Sequence, residues 1–165
     1  MNLRPDRIRK VSEISQKVAS RAKAVAMPAI SHPNGFLTIF LPIPPKLLSP
    51  NGSHKHWRTK AKAKKGARVL ARLVLLEALN GKQLAFQGYS LAFFHAVKRN
   101  RDDDNAEAAC KAYRDGIAEA LGMDDCDLRK CQLSTFAIDG KNPRLEVTLW
   151  RTSNIEEGTL NIEGR

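Results

Sequence analysis

The chain has 165 residues, enough for one domain whose core needs neither disulfides nor a structural metal. Hydrophobic residues make up 42%, and no apolar run approaches the ~20 residues that a membrane helix requires. The formal net charge of +11 and a pI near 9.9 point to a polyanionic partner, nucleic acid first.

Residues 5 to 27 follow helical spacing, with Ile8, Val11, Ile14, Val18 and Val25 apolar among many Lys and Arg. The stretch lacks the uninterrupted apolar core of a signal peptide. Met27-Pro28 ends it and Ser31-His32-Pro33-Asn34-Gly35 is a linker. Residues 1–35 therefore read as a basic helical extension and linker. A strand follows over Phe36 to Ile43, with Leu37, Ile39, Leu41 and Ile43 on one face. Pro42, Pro44 and Pro45 close it, since proline cannot donate to a sheet ladder.

After a polar loop, Lys60 to Asn80 predicts a helix that turns Val69, Leu70, Leu73, Leu76 and Leu79 inward. A second strand is expected over Tyr89 to Val97, with Leu91, Phe93, His95 and Val97 alternating on one side. A second helix is expected from Asn105 to Leu121, with Ala109, Cys110, Tyr113, Ile117, Ala120 and Leu121 as its stripe and Gly122 as its C-cap. Two last strands, Gln132 to Ile138 and Arg144 to Trp150, flank Asp139-Gly140-Lys141-Asn142, a hairpin signal. The order β-α-β-α-β-β is an α+β domain with a small mixed sheet over residues 36–151. The tail 152–165 is polar and reads as disordered. It closes on Ile162-Glu163-Gly164-Arg165, which has the form of a protease-site scar or of a native end.

Cys110, Cys126 and Cys131 are odd in number and lack CxxC spacing, so neither a zinc site nor a redox pair is expected, and a reducing cytosol is. The aspartates are more telling. Six of them fall in Asp102-Asp103-Asp104 and Asp124-Asp125-Cys126-Asp127, although acids are scarce in this chain. Crowded carboxylates repel, and a cation relieves them. Short Asp side chains offer the hard oxygen donors that suit Mg²⁺ or Mn²⁺. In extended backbone Asp102 and Asp104 would face together. Asp104 also stands where the helix N-cap is expected, with Glu107 three residues on as in a capping box. Ordinary capping and a surface turn explain the same residues without a metal. An EF-hand is excluded, because with Asp102 as first ligand the fifth position is Ala106.

Arg101-Asp102-Asp103-Asp104-Asn105, then Lys111, Asp115-Gly116-Ile117, Gly122 and Asp124-Asp125, resembles the signature of the RusA-type Holliday-junction resolvases, particularly phage-borne ones. Leu41-Pro42-Ile43-Pro44-Pro45, Ser49-Pro50-Asn51 and His56-Trp57-Arg58 resemble that family's N-terminal strand end and loop. The resemblance spans about residues 36 to 151. It implies a cytoplasmic homodimer whose two Mg²⁺-dependent sites (Mn²⁺ the substitute) nick opposing strands of branched DNA during recombination and repair. Carried over by position, Asp102, Asp104 and Asp125 hold the metal and act in catalysis. Lys111 stands for the family's helical lysine and Asn105 for its asparagine. One departure is that the place one helical turn after the asparagine, where that lysine usually stands, holds Ala108. Lys111 lies seven residues beyond Asp104, on the same helix face and about 10 Å along it, within i+4 reach of Asp115.

DNA contact is expected from the basic run of Lys55, Arg58, Lys60, Lys62, Lys64, Lys65 and Arg68, which carries no acid before Glu77. His54, His56 and Trp57 are candidates for base stacking, and Asn51, Arg101 and Asn105 complete the DNA-contacting set. Lys98, Arg99 and Arg101 flank the carboxylates. The alternatives are a nuclease that prefers other branched DNA, and a DNA-binding protein of this fold without catalysis.

Overall fold

The computed structural model describes residues 29–31, 35–51, 57–98 and 102–151. The sequence-predicted helix over 5 to 27, the tail, and the candidates His54, Lys55, His56, Arg99 and Arg101 lie outside them. Within the described residues the chain is an α+β domain with one mixed sheet and two helices. Its strands are β1 (Ile30–Ser31), β2 (Leu37–Leu41), β3 (Gly88–His95), β4 (Arg129–Lys130), β5 (Thr135–Ile138) and β6 (Arg144–Trp150); its helices are α1 (Trp57–Leu79) and α2 (Asp103–Leu121).

The sheet order is β1-β2-β6-β3-β4, with β5 also on β3. β1, β2, β6 and β3 pair antiparallel in turn, whereas β4 and β5 run parallel to β3 along its far edge. The alternating apolar positions explain the pleat. Leu37, Ile39 and Leu41 of β2, Leu145, Val147 and Leu149 of β6, and Tyr89, Leu91 and Phe93 of β3 are buried together. The helices supply Leu70, Leu75 and Leu79 from α1 and Cys110, Tyr113 and Ile117 from α2. Burial of each large side chain contributes about 2 kcal/mol. On the strands' other parity, Thr38 and Thr148 join β2 to β6 through their hydroxyls at 3.0 Å.

Four expectations need correction. The turn at Asp139 forms, with Asp139 Oδ1 accepting from the amides of Lys141 and Asn142, but it does not make a hairpin. β5 and β6 lie on opposite sides of β3, so the turn crosses the end of that strand. The inward face of α1 is also rotated. Ala67, Leu70, Ala71, Leu75 and Leu79 are buried, while Leu73 and Leu76 are 43% and 40% exposed. Gly116 of α2 leaves room for the α1 backbone at Arg68, and that contact sets the rotation. Val97 is 54% exposed beyond the end of β3. Finally, the sheet reaches back to Ile30, into the expected linker.

Candidate active site

The N-terminus of α2 collects the first aspartate cluster. Asp102 is extended (φ −103°, ψ 128°) and caps the helix, its Oδ1 accepting from the Asp104 amide at 3.3 Å. Asn105 Nδ2 donates to the other oxygen at 2.9 Å. The expected cap was Asp104. The helix starts earlier because Asp102 supplies the acceptor and leaves Asp103 and Asp104 in the first turn, where the helix dipole favours carboxylates. Asp102 and Asp104 are thus not on one extended strand, and Glu107 does not sit in a capping box.

Asp103 turns inward. It accepts from Lys130 Nζ at 2.7 Å and from the Ser134 amide at 3.1 Å, tying the helix start to the segment between β4 and β5. Burial pushes its carboxyl up, but these donors more than reverse that and hold it below the usual range. Asp104 faces solvent and its carboxylate has no ion pair among the described residues.

The second cluster comes back along the helix. Gly122 adopts the left-handed conformation (φ 70°) and its amide, with that of Met123, closes on Ala118 and Glu119 carbonyls. This turn reverses the chain. Asp125 then meets Lys111, whose Nζ donates to Asp125 Oδ2 at 2.8 Å and to Asp115 Oδ1 at 3.2 Å. Lys111 lowers the Asp125 pKa, and its own is raised chiefly by Asp125. Asp104, Lys111 and Asp115 lie at helical spacing on one stripe, so Asp125 joins the face that Asp104 begins. It joins further along: the rise between Asp104 and Lys111 is about 10 Å.

Sequence reasoning missed a second layer. Glu107 and Arg114 stand on the stripe of α2 that carries Cys110 and Ile117, facing the sheet. Arg114 Nη1 donates to Glu107 Oε1 at 2.8 Å and to the Tyr89 hydroxyl at 3.0 Å, and that hydroxyl donates to Glu107. Lys130 Nζ lies 3.4 Å from Glu107 Oε2, and Arg114 Nη2 lies 3.9 Å from Asp125 Oδ2. Burial and the Glu107 carboxylate push the Tyr89 phenol far up, so it stays a donor. An opposite-charge pair set among apolar positions of one helix face was the legible signal.

The crowding of acids is therefore relieved by the chain's own Lys111, Arg114 and Lys130. Among the described residues no three His, Cys, Asp or Glu side chains are grouped to hold a metal ion. Asp102 and Asp104 stand at the helix start, and Asp125 is held at Lys111.

The basic helix lies beside this face. Lys64 Nζ is 3.9 Å from Asp115, Arg68 Nε 2.8 Å from Glu119 and Arg72 Nε 3.6 Å from Glu119. The acids missing from the basic run thus arrive from α2. Arg58, Lys60, Lys62 and Lys65 make no such pair among the described residues. Trp57 is 75% exposed, with the Arg58 guanidinium 5.5 Å from its ring centre, and Asn51 is exposed.

No family model matches the chain. Over 110 residues it is 38% identical to an uncharacterized protein of Xylella fastidiosa (strain Temecula1), covering 64% of this chain and 71% of that one. The chain belongs to that protein's family. None of the described helices is long and apolar enough to cross a membrane.

Proposed function

We propose that the chain is an endonuclease of the RusA kind, which cuts branched DNA, the four-way junction above all, as a Mg²⁺-dependent homodimer in the cytosol. The observation that carries this reading is the return of Asp125 along α2 to Lys111. Two acidic segments that the resemblance joins thereby share one solvent-open face with the lysine it singles out. The neighbouring basic helix supports the same reading, because Arg58, Lys60, Lys62 and Lys65 on it have no ion pair among the described residues.

The carboxylates as they stand do not fit one cation, since Asp125 is engaged by Lys111 and no group of three is assembled among the described residues. Arg58, Lys60, Lys62 and Lys65 hold phosphates and set the register of the duplex. Trp57 and Asn51 contact the strand at the start of α1, with base stacking assigned to the indole. The Lys111 ammonium neutralises charge on the phosphate brought against α2. Two incisions in a symmetric junction require two such faces, which a C2 dimer supplies.

The test is a panel of synthetic four-way junctions, flaps, forks and linear duplexes, titrated with Mg²⁺. Symmetric nicking of the junction in preference to duplex is expected, as is loss of cutting with retained binding in Asp104→Asn. Wild-type cutting rates in that variant end the assignment of Asp104. A second reading, a DNA-binding protein of this fold without catalysis, is favoured by the neutralisation of Asp125 by Lys111 and Arg114. Tight binding with no cutting in Mg²⁺ or Mn²⁺ selects it.

A further inference from the structure

The sheet has a second face that the described helices leave alone. α1, α2 and the 3₁₀ turn Lys46–Leu48 pack on the side of Leu37, Ile39 and Leu41. Side chains of the other parity point away from them, among them Phe36, Thr38, Phe40, Phe94, Thr148 and Trp150. A sheet face left to water is ordinarily polar, and this one is rich in aromatic rings. It is also covered. Phe40 is 5% and Thr38 6% exposed, the other four are half-buried, and Phe40 has no place in the core cluster on the helix side.

The sheet does not bury Phe40 by itself. Pairing with β1 stops at Thr38, so the cross-strand neighbour of Phe40 is Glu146 alone, and that carboxylate is drawn to Arg144 at 2.7 Å. Phe40 is this well buried within a single chain, so its cover is supplied by the chain and not by a second copy. The residues before Ala29 are placed to supply it. β1 runs antiparallel to β2 with Ile30 opposite Thr38, so residues 1–28 lead into the sheet from beside Phe40. Their helical stripe of Ile8, Val11, Ile14, Val18 and Val25 is an apolar face that needs a partner, and Arg9, Lys17 and Lys23 fall on its other side. A helix over residues 5 to 27 is about 34 Å long. The strands from β1 to β3 span roughly 14 Å.

We infer that residues 5–27 form a third layer, an amphipathic helix seated by its apolar stripe on the aromatic second face of the sheet, over Phe40. The inference does not depend on the nuclease reading. It makes the basic extension part of the folded domain, with its Lys and Arg held on the side of the sheet remote from α1 and α2.

Hydrogen exchange of the full chain, read by mass spectrometry on peptides from residues 5–27, tests it. In wild type these amides are expected to exchange at least about tenfold more slowly than in a free peptide of the same sequence. Val11→Asp/Val18→Asp, which puts charge in the stripe, should bring them to the free-peptide rate, whereas Gln16→Asp/Ser20→Asp on the opposite side should leave them slow. Phe40→Ala should speed the same amides about tenfold from the other side of the contact, while the amides of α2 stay slow. If Phe40→Ala also releases α2, Phe40→Leu takes its place, with a smaller acceleration expected. Exchange at the free-peptide rate in wild type overturns the inference, as does protection that the Phe40 variants leave untouched or that Gln16→Asp/Ser20→Asp abolishes. Protection that vanishes on dilution together with a halving of the mass also overturns it, because the cover then comes from a second copy.

Discussion

A Cβ built on Gly116 would lie 2.1 Å from the carbonyl oxygen of Arg68. This is the point where α1 and α2 touch through their backbones, and it holds the basic helix against the acidic one. Alanine at 116 gains up to about 1 kcal/mol of helix propensity, but the clash is with backbone and cannot be relieved by a rotamer. Separating the helices also strains the pairs Arg68–Glu119 and Lys64–Asp115. Gly116→Ala should therefore destabilise the fold by about 2 kcal/mol net, read as a lower urea midpoint. An unchanged or higher midpoint would show that the helices part freely.

Arg114 anchors the second layer, and removing it leaves Glu107 with the Tyr89 hydroxyl and with Lys130 at 3.4 Å as its one remaining cation among the described residues. The two side chains are only 26% and 21% exposed, so a carboxylate that has lost its closer cation there is costly. Arg114→Leu should lose about 2 kcal/mol of stability. Adding Glu107→Gln should recover part of it, because the second change removes the under-compensated charge. Thermal melting of the single and double variants measures this; a double variant worse than the sum of the singles would contradict the pairing.

Asp103 links stability to pH. Burial alone would raise its carboxyl, yet Lys130 and the Ser134 amide hold it below the ordinary 3.8. A carboxyl depressed by folding stabilises at every pH above its unfolded value and loses that contribution as pH falls through the folded one. Asp103→Asn should be less stable than wild type at pH 7 by about 1 kcal/mol. The gap should close as the pH drops below 3.8. Urea unfolding at several pH values checks it, and a gap that persists undiminished at pH ~2 would sink the linkage.

The fold was largely legible because its pattern is local. Strands β2, β3 and β6 follow alternation that each segment carries by itself, and α2 ends at Gly122 as a left-handed cap demands. What failed was non-local. The rotation of α1 depends on Gly116 in another helix. The place of β5 beside β3 follows from pairing between distant segments, while the turn at Asp139 has the local chemistry of a hairpin. In the site, the Lys111–Asp115 pair was readable as an i+4 spacing. The Lys111–Asp125 contact was permitted by the sequence, not required by it. Lys130 on Asp103, and Tyr89 on Glu107, needed the sheet to be built first.

The basic helix divides into two rows with different work. Lys64, Arg68 and Arg72 repeat every four residues and face the acids of α2 at 3.9, 2.8 and 3.6 Å. Lys60 begins that row one turn earlier, Arg58, Lys62 and Lys65 occupy the neighbouring one, and none of these four has an acid to neutralise it among the described residues. Free cations release counter-ions from DNA, whereas cations already paired gain less by moving to a phosphate. Replacing Lys60, Lys62 and Lys65 by alanine should therefore weaken DNA binding and flatten its dependence on salt. For every phosphate that the protein no longer neutralises, the slope of log K against log salt falls by about 0.9. Replacing Arg68 and Arg72 should change that slope by less than half as much while lowering the melting temperature. Fluorescence anisotropy with a labelled junction, measured across salt concentrations in EDTA, compares the two sets. Equal slopes for both would mean that the pairing with Glu119 does not withhold Arg68 and Arg72 from DNA.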